Sequence, residues 1–373
     1  MRENTFASLE IGDFYTKLVI GFFNDEKINI LFAKKVLSKG VINGDIVAKS
    51  DVIAGVNTLL VEAEKEGFSI DKVVLVLPNK TVNVYRKKAS ISLSMPNRRP
   101  INVDDINALI KGCKTHNILD SHLVVGIEPI RYELDNQDFG IEPPINYNGS
   151  SVSLDAFIYT IKNTIATGFR DLLFELGIEI IDIVLNSVAC ANIMLSKEEI
   201  QKGAYIIDVG ATSSGIAFFK DGLLNEFKEG KYGGNFITST LASAFEIDKN
   251  EAEYIKVNFA AASLKDVSKI DVYETKTHRV YSEFDIVNVV NNSLNTIISD
   301  LEKVFDMLLV NNYDLPCIVV GGTSNIYQID ERFATSLRRN VKVRRKTTFG
   351  ARNNVYIPLV GAIAYYLRKH KVI

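Results

Sequence analysis

Two carboxylates, one lysine and three glycine turns are the parts of this chain able to do chemistry. Glu10 and Asp208 each close an apolar run two residues ahead of a glycine, Gly12 and Gly210, and Lys17 follows the first. A carboxylate ending a buried strand is costly unless a cation or hydrogen-bond donors meet it. Asp208 therefore suits the water shell of a magnesium ion, the alternative being that it caps its own turn. Lys17 is either a mobile point charge on a phosphate chain or the solvated face of a strand. Glycine lets backbone approach a ligand closely, and successive N–H groups in such turns form a concave anion site. The three turns are Gly12-Asp13-Phe14-Tyr15-Thr16, then Gly210-Ala211-Thr212-Ser213, then Gly321-Gly322 with Thr323 and Ser324 after it. Two such hairpins can hold a phosphate chain from opposite sides.

Positioning these groups requires strands that stop at the glycines. Residues 5–11 and 17–23 read as the arms of the first hairpin, and residues 205–219 repeat that plan half a chain later. The repeat predicts a duplicated α/β architecture, and a length of 373 residues also favours two lobes over one core. Further strands are expected at 28–35 and 73–77, with a helix near 51–66. Met95-Pro96-Asn97-Arg98-Arg99-Pro100 breaks the pattern, and Asn102 is placed to cap a helix over 103–113. Strand-like runs at 123–130, 131–134 and 154–159 follow, then a helix over about 164–176 ended by Gly177. The second lobe starts at Ala204 and carries a helical insertion over 237–309. In it Phe284, Val287, Val290 or Asn291, Leu294, Ile297, Ile298, Leu301 and Phe305 make one apolar stripe. The run 317–320 ends at the glycine pair, which predicts a helix start at Ser324 or Asn325; a strand at 341–343 and a helix over 358–369, opened by Pro358, complete the chain.

Composition excludes more than it specifies. A net charge of −2 gives no general pull toward nucleic acid. Cys113, Cys190 and Cys317 show no pairing pattern and read as reduced buried thiols, and His116, His122, His278 and His370 lack metal-ligand spacing. No signal peptide is evident, and no apolar run approaches the roughly 20 residues needed to span a bilayer. These features fit a cytoplasmic protein.

Taken together, the turns and their carboxylates resemble the actin, Hsp70 and sugar-kinase superfamily, the hairpins resembling its two phosphate loops and Gly321-Gly322 its adenosine motif. Within it, S-K-G-V-I-N-G-D-I at 38–46 resembles a segment of the FtsA family of bacterial actin-like cell-division proteins. So do P-P-I-N-Y-N-G at 143–149, L-N-S-V-A-C-A at 185–191, Y-G-G-N-F-I-T-S-T-L-A-S-A-F at 232–245, E-A-E-Y-I-K at 251–256 and L-V-G-A-I-A-Y at 359–365. The resemblance implies a two-lobed actin-like α/β fold, a duplicated ribonuclease-H-like design with an FtsA-type inserted subdomain. The division would be 1–85 for the first-lobe core, completed by 163–203 and 358–373, and 86–162 for the inserted subdomain. The second-lobe core would be 204–235, completed by 312–357, with 236–311 as its helical insertion.

The resemblance further implies ATP and Mg2+ as ligands. Glu10, Gly12, Asp13, Phe14, Tyr15, Lys17, Asp208, Gly210, Ala211, Thr212 and Ser213 would surround the phosphates, with Glu10 and Asp208 holding the magnesium through water. Gly233, Gly234, Asn235, Glu253, Lys256, Gly321, Gly322, Thr323 and Ser324 would surround the adenosine; Glu253 and Lys256 lie one helical turn apart and are otherwise an ordinary surface ion pair. Relatives commonly have aspartate in place of Glu10 and D-I-G-G-G-T-T-D in place of D-V-G-A-T-S-S-G. Ala211 and Thr212 put side chains where backbone comes close, Gly215 lacks the second acid, and no residue identifies itself as a general base. Slow or absent hydrolysis is the expectation.

Partners implied are a second copy of the chain in a protofilament, the C-terminal tail of the tubulin-like FtsZ, and the inner face of the cell membrane at the division site. Asn292, Ser293 and Thr296 are the expected tail contacts, in place of an arginine and a glutamate common in relatives; the alternative is a set of polar positions outside a core helix. The cluster Arg338, Arg339, Lys342, Arg344, Arg345 and Lys346 is either a solvated strand edge or a contact for anionic lipid. Relatives usually reach the membrane through an amphipathic helix beyond the actin core. Here Ile373 follows directly on the last core helix, so such a tether or another route is expected. Alternative readings are a PilM-like pilus-assembly adaptor binding a short peptide, and a superfamily kinase or chaperone-type ATPase.

Overall fold

The computed structural model describes residues 4–24, 27–93, 98–115, 118–265, 267–345 and 354–370. The expected break at Met95, Pro96 and Asn97, together with His116 and Lys346, lies outside the described residues.

Two five-stranded sheets built to one plan form the core. In the first the order is Glu179–Leu185, Lys72–Leu77, Thr5–Ile11, Tyr15–Asn24, Lys27–Leu37. In the second it is Val341–Val343, Cys317–Val320, Ala204–Val209, Ser214–Lys220, Leu223–Gly230. In each, the strand that carries the carboxylate near its end pairs antiparallel with the next strand in sequence and parallel with a later one. These central strands are apolar on both faces because helices cover both, so alternation gives way to continuous runs. Leu18, Ile20, Leu75 and Leu77 join Val52, Val56 and Leu59 of helix Lys49–Lys65 in one cluster. Their neighbours Val19, Val74 and Val76 point the other way, toward helix Ile357–Lys369. The fold is therefore a two-lobed, actin-like α/β arrangement.

A third sheet, in the order Gln137–Gly140, His122–Leu134, Ser151–Lys162, Asn83–Ser92, packs under helix Val103–Thr115. Asn102 caps that helix as expected, accepting from the Asp105 N–H at 2.9 Å while Asp105 accepts from the Asn102 N–H at 3.0 Å. The two strand-like runs before residue 134 merge into one strand, whose register shifts opposite Pro129, a residue with no N–H for the ladder.

Three expectations change. The second-lobe insertion is not wholly helical: besides helices Gly234–Phe245, Lys249–Phe259 and Glu283–Asp306 it holds a ribbon of Asp271–Glu274 and Val280–Ser282. Phe284 leaves the apolar stripe at 37% exposure, since Ser282 already caps the helix and the buried face begins at Ile286. After the glycine pair the chain makes a 3-10 turn, Gly322–Asn325, and the next helix starts only at Ile329. The Ser324 hydroxyl donates back to the Gly321 carbonyl at 2.7 Å, which tightens that turn.

Candidate functional site

Between the lobes lies a cavity of about 420 Å³, lined by both hairpins, the turn after Cys317–Val320, and helices Gly234–Phe245 and Lys249–Phe259. Every residue expected at a nucleotide lines it except Gly233, which sits just behind. A Cβ on Gly233 would fall 2.6 to 2.7 Å from backbone atoms of Gly210, Ala211 and Ser213, so only glycine lets this helix start abut the second hairpin. The Gly234 and Asn235 N–H groups donate to the Gly210 and Ala211 carbonyls, each at 2.8 Å.

Each hairpin tip is closed by one bond, Gly12 N–H to Tyr15 O at 3.1 Å and Gly210 N–H to Ser213 O at 3.0 Å. The backbone N–H groups of Asp13, Phe14, Ala211, Thr212 and Ser213 take no partner among the described residues, and all five residues line the cavity. The tips also meet: the Thr212 hydroxyl donates to Asp13 Oδ2 at 2.5 Å, while Asp13 Oδ1 accepts from the Gly44 N–H at 2.9 Å. Thr212 thus reaches across to the other lobe rather than crowding the cavity. The S-K-G-V-I-N-G segment supports the first tip from behind, Ser38 and Thr16 sharing a hydroxyl hydrogen bond at 2.9 Å.

At the floor, Lys17 Nζ lies 2.7 Å from Glu10 Oε2 and donates to the Val355 carbonyl at 3.1 Å. Asn186 donates to Glu10 Oε1 at 3.2 Å, and Asn79 donates to Asp208 Oδ2 at 3.1 Å. Asp208 opens partly to the cavity, yet desolvation by the surrounding protein, with the nearby Glu10 charge second, pushes its carboxyl up to about 6. Gly321, at φ +87°, passes so close that a Cβ would lie 2.4 Å from the Val209 carbonyl and 2.6 Å from Asp208 Oδ1. On the opposite wall Lys256 pairs with Glu253 at 2.6 Å and donates to the Thr238 hydroxyl at 2.9 Å. This pair is largely buried rather than a surface one, and burial pulls the Lys256 ammonium pKa down.

The floor is hard-oxygen chemistry: two carboxylates held by amides suit a magnesium ion carried on its own waters and on phosphate. Gly215 explains the missing second acid, since a Cβ there would sit 2.5 Å from the Phe227 ring. Asn79 and Asn186 are two residues of the floor to which the sequence reading assigns no role. Asn79 lies two residues past the apolar strand Lys72–Leu77, with Pro78 between, and Asn186 directly follows the strand Glu179–Leu185 that pairs with it.

The outlying expectations fare differently. Asn292 is exposed and Thr296 half-buried, but Ser293 is 2% exposed and its one O–H goes to the Val289 carbonyl of its own helix, so burial keeps it from a partner. The basic cluster divides as well. Arg339 is buried, stacked 3.8 Å from the Phe305 ring centre and 4.1 Å from that of Tyr313, and Arg344 binds Glu199 and the Met194 carbonyl. Arg338, Lys342 and Arg345 remain exposed. No helix among the described residues is long and apolar enough to cross a membrane. Cys113, Cys190 and Cys317 are buried free thiols.

Comparisons with known proteins bear on family and fold. Residues 205–361 match the family model described as cell division protein FtsA. The cell division protein FtsA of Bacillus subtilis (strain 168) is 23% identical, the alignment covering 98% of this chain and 84% of that protein. Among solved structures, a PilM–PilN type IV pilus biogenesis complex superposes with a TM-score of 0.67 at 14% identity, covering 99% of this chain and 98% of that one. MreB5 of Spiroplasma citri bound to ADP gives 0.58 at 12% identity, covering 99% and 97%. The chain is thus similar to FtsA over nearly its whole length and shares its fold with actin-like proteins.

Proposed function

We propose that this chain, similar to FtsA over nearly its whole length, is an ATP-binding actin homologue of bacterial cell division that assembles into protofilaments and links the FtsZ ring to the membrane. The observation that carries the nucleotide reading is the convergence on one cavity of two hairpin tips whose backbone N–H groups have no partner among the described residues, together with Lys17. Such N–H groups bind an anion without reorganisation. Glu10 and Asp208 would hold Mg2+ through its waters, and the ion would neutralise phosphate charge beside them. Gly234, Gly321 and Gly322 would lie beside the adenosine, with Gly233 seating the helix start behind them and Glu253 and Lys256 on the ribose side. The four-part division of the chain given by the resemblance belongs to this reading.

Hydrolysis is slow or absent in this proposal. Asp13 and Thr212 bond to each other, Gly215 faces Phe227, and no general base is assigned in the cavity. The protein's work is then assembly, coupled to nucleotide through closure of the lobes. With Ser293 turned inward, the FtsZ tail would meet Asn292 and Thr296, and contact with anionic lipid would fall to Arg338, Lys342 and Arg345. The test is electron microscopy of the purified protein on a lipid monolayer with and without Mg·ATP. Nucleotide-dependent filaments are expected, and their absence under both conditions would overturn the assembly reading. The likeness to the PilM–PilN structure favours a second reading, a peptide-binding adaptor, which retention of a pilus-type peptide but not of an FtsZ tail would select.

A further inference from the structure

Four lysines line the cavity: Lys17, Lys35, Lys80 and Lys256. Three have a carboxylate at hand, Glu10 for Lys17, Glu229 for Lys80 and Glu253 for Lys256. Lys35 has none among the described residues. It stands directly opposite Lys17 in the antiparallel pairing of Tyr15–Asn24 with Lys27–Leu37, so the two side chains share one face of the sheet. Its ammonium sits 4.0 Å from the centre of the Tyr15 ring, and that ring packs edge-on against Phe14, 4.6 Å between centres. The contact holds Lys35 against the first hairpin, on the same cavity that the N–H groups of Asp13 and Phe14 line. Two ammonium groups on one face of a half-buried wall repel each other, and burial together with the Lys17 charge depresses the pKa of Lys35. A cation–π contact offsets part of that cost but supplies no countercharge.

We propose that Lys35 is a further binding residue of this cleft, a second cation for the phosphate chain of a nucleoside polyphosphate, acting beside Lys17. The inference rests on the nucleotide reading above. Lys17 arrives already neutralised by Glu10, so Lys35 brings the uncompensated positive charge on this wall. An anionic chain lying along the first hairpin tip satisfies it, and the attraction grows with the number of phosphates. A neutral nucleoside gains nothing from it.

The experiment compares the wild type, Lys35→Met and Lys35→Arg by calorimetric titration with adenosine, ADP and ATP at two salt concentrations, with thermal unfolding of each variant as a folding control. Lys35→Met should weaken ATP about 10-fold or more, ADP less and adenosine not at all, and flatten the salt dependence of ATP binding. Lys35→Arg should restore most of the ATP affinity. Equal losses for all three ligands would overturn the proposal, leaving Lys35 as packing for Tyr15, and so would unchanged ATP affinity in Lys35→Met. A wild type that binds neither ADP nor ATP would overturn the nucleotide reading itself, which the variant comparison alone would not.

Discussion

Replacing Asp208 by asparagine should make the ligand-free protein more stable at neutral pH. The carboxyl is raised from 3.8 to about 6 in the native state, so above pH 6 folding holds a charge in a place that disfavours it. A rise from 3.8 to about 6 corresponds to ~3 kcal/mol. Because one side of Asp208 opens to the cavity, where water screens it, a gain of ~1–3 kcal/mol is expected for Asp208→Asn. The amide keeps an oxygen for the Asn79 donor and removes the repulsion from Glu10. The pH dependence has a definite sign. Between pH 6 and about 4 the native wild type binds a proton that the unfolded chain does not, so the wild type gains stability as pH falls. Below that window both states of the wild type are protonated, and the advantage of Asp208→Asn disappears. Urea unfolding of both proteins at pH 7.5, 6, 5 and 4 reads this directly, as a shift in midpoint at constant slope. Mg·ATP provides the second half of the test. On the proposed function it should stabilise the wild type by linkage and the variant far less, because the magnesium shell would lose an anionic partner. A variant less stable than wild type at pH 7.5, or a difference that persists unchanged at pH 4, would refute the reasoning.

Gly321→Ala should cost at least ~2 kcal/mol and abolish nucleotide-dependent stabilisation, because its Cβ would strike the Val209 carbonyl 2.4 Å away at φ +87°; thermal unfolding with and without Mg·ATP checks both parts. Arg344→Ala should destabilise by ~1–3 kcal/mol at pH 7, since it leaves Glu199 without its guanidinium. The loss should shrink as pH falls from 4.5 toward 2, because Arg344 holds the Glu199 carboxyl down at about 2 and that contribution exists only while the carboxyl stays ionised. Neutralising Arg338, Lys342 and Arg345 together should weaken sedimentation with anionic liposomes and leave the melting temperature nearly unchanged, the reverse of Arg344→Ala. Titration of the cognate FtsZ tail should show weak binding that Asn292→Ala/Thr296→Ala reduces further, and tight binding indifferent to both would move the partner surface elsewhere.

What the sequence made legible was local, and what it hid was decided by distant partners. The hairpins, their carboxylates and the strand ends could be read because glycine, aspartate and a β-rich run each constrain their own neighbourhood within a few residues. The repeat of that constraint half a chain later carries the two-lobed plan. Nothing local distinguishes Arg339 and Arg344 from Arg338 and Arg345: all four sit in one basic run, and distant partners, among them Phe305, Tyr313, Glu199 and the Met194 carbonyl, draw two of them inward. Ser293 escapes a sequence reading for a related reason, since a small hydroxyl that bonds to its own helix can sit on the buried face at little cost, and polarity alone does not reveal it. Thr212 shows the same limit at the site itself. Beside its neighbours it looks like a glycine lost from a phosphate turn, whereas across the cleft its hydroxyl meets Asp13 and ties one hairpin tip to the other. That tie joins the two lobes at the place where a phosphate chain would enter. In the proposed function, Thr212 would thereby couple closure of the lobes to the bound phosphate chain, the step on which nucleotide-dependent assembly would rest.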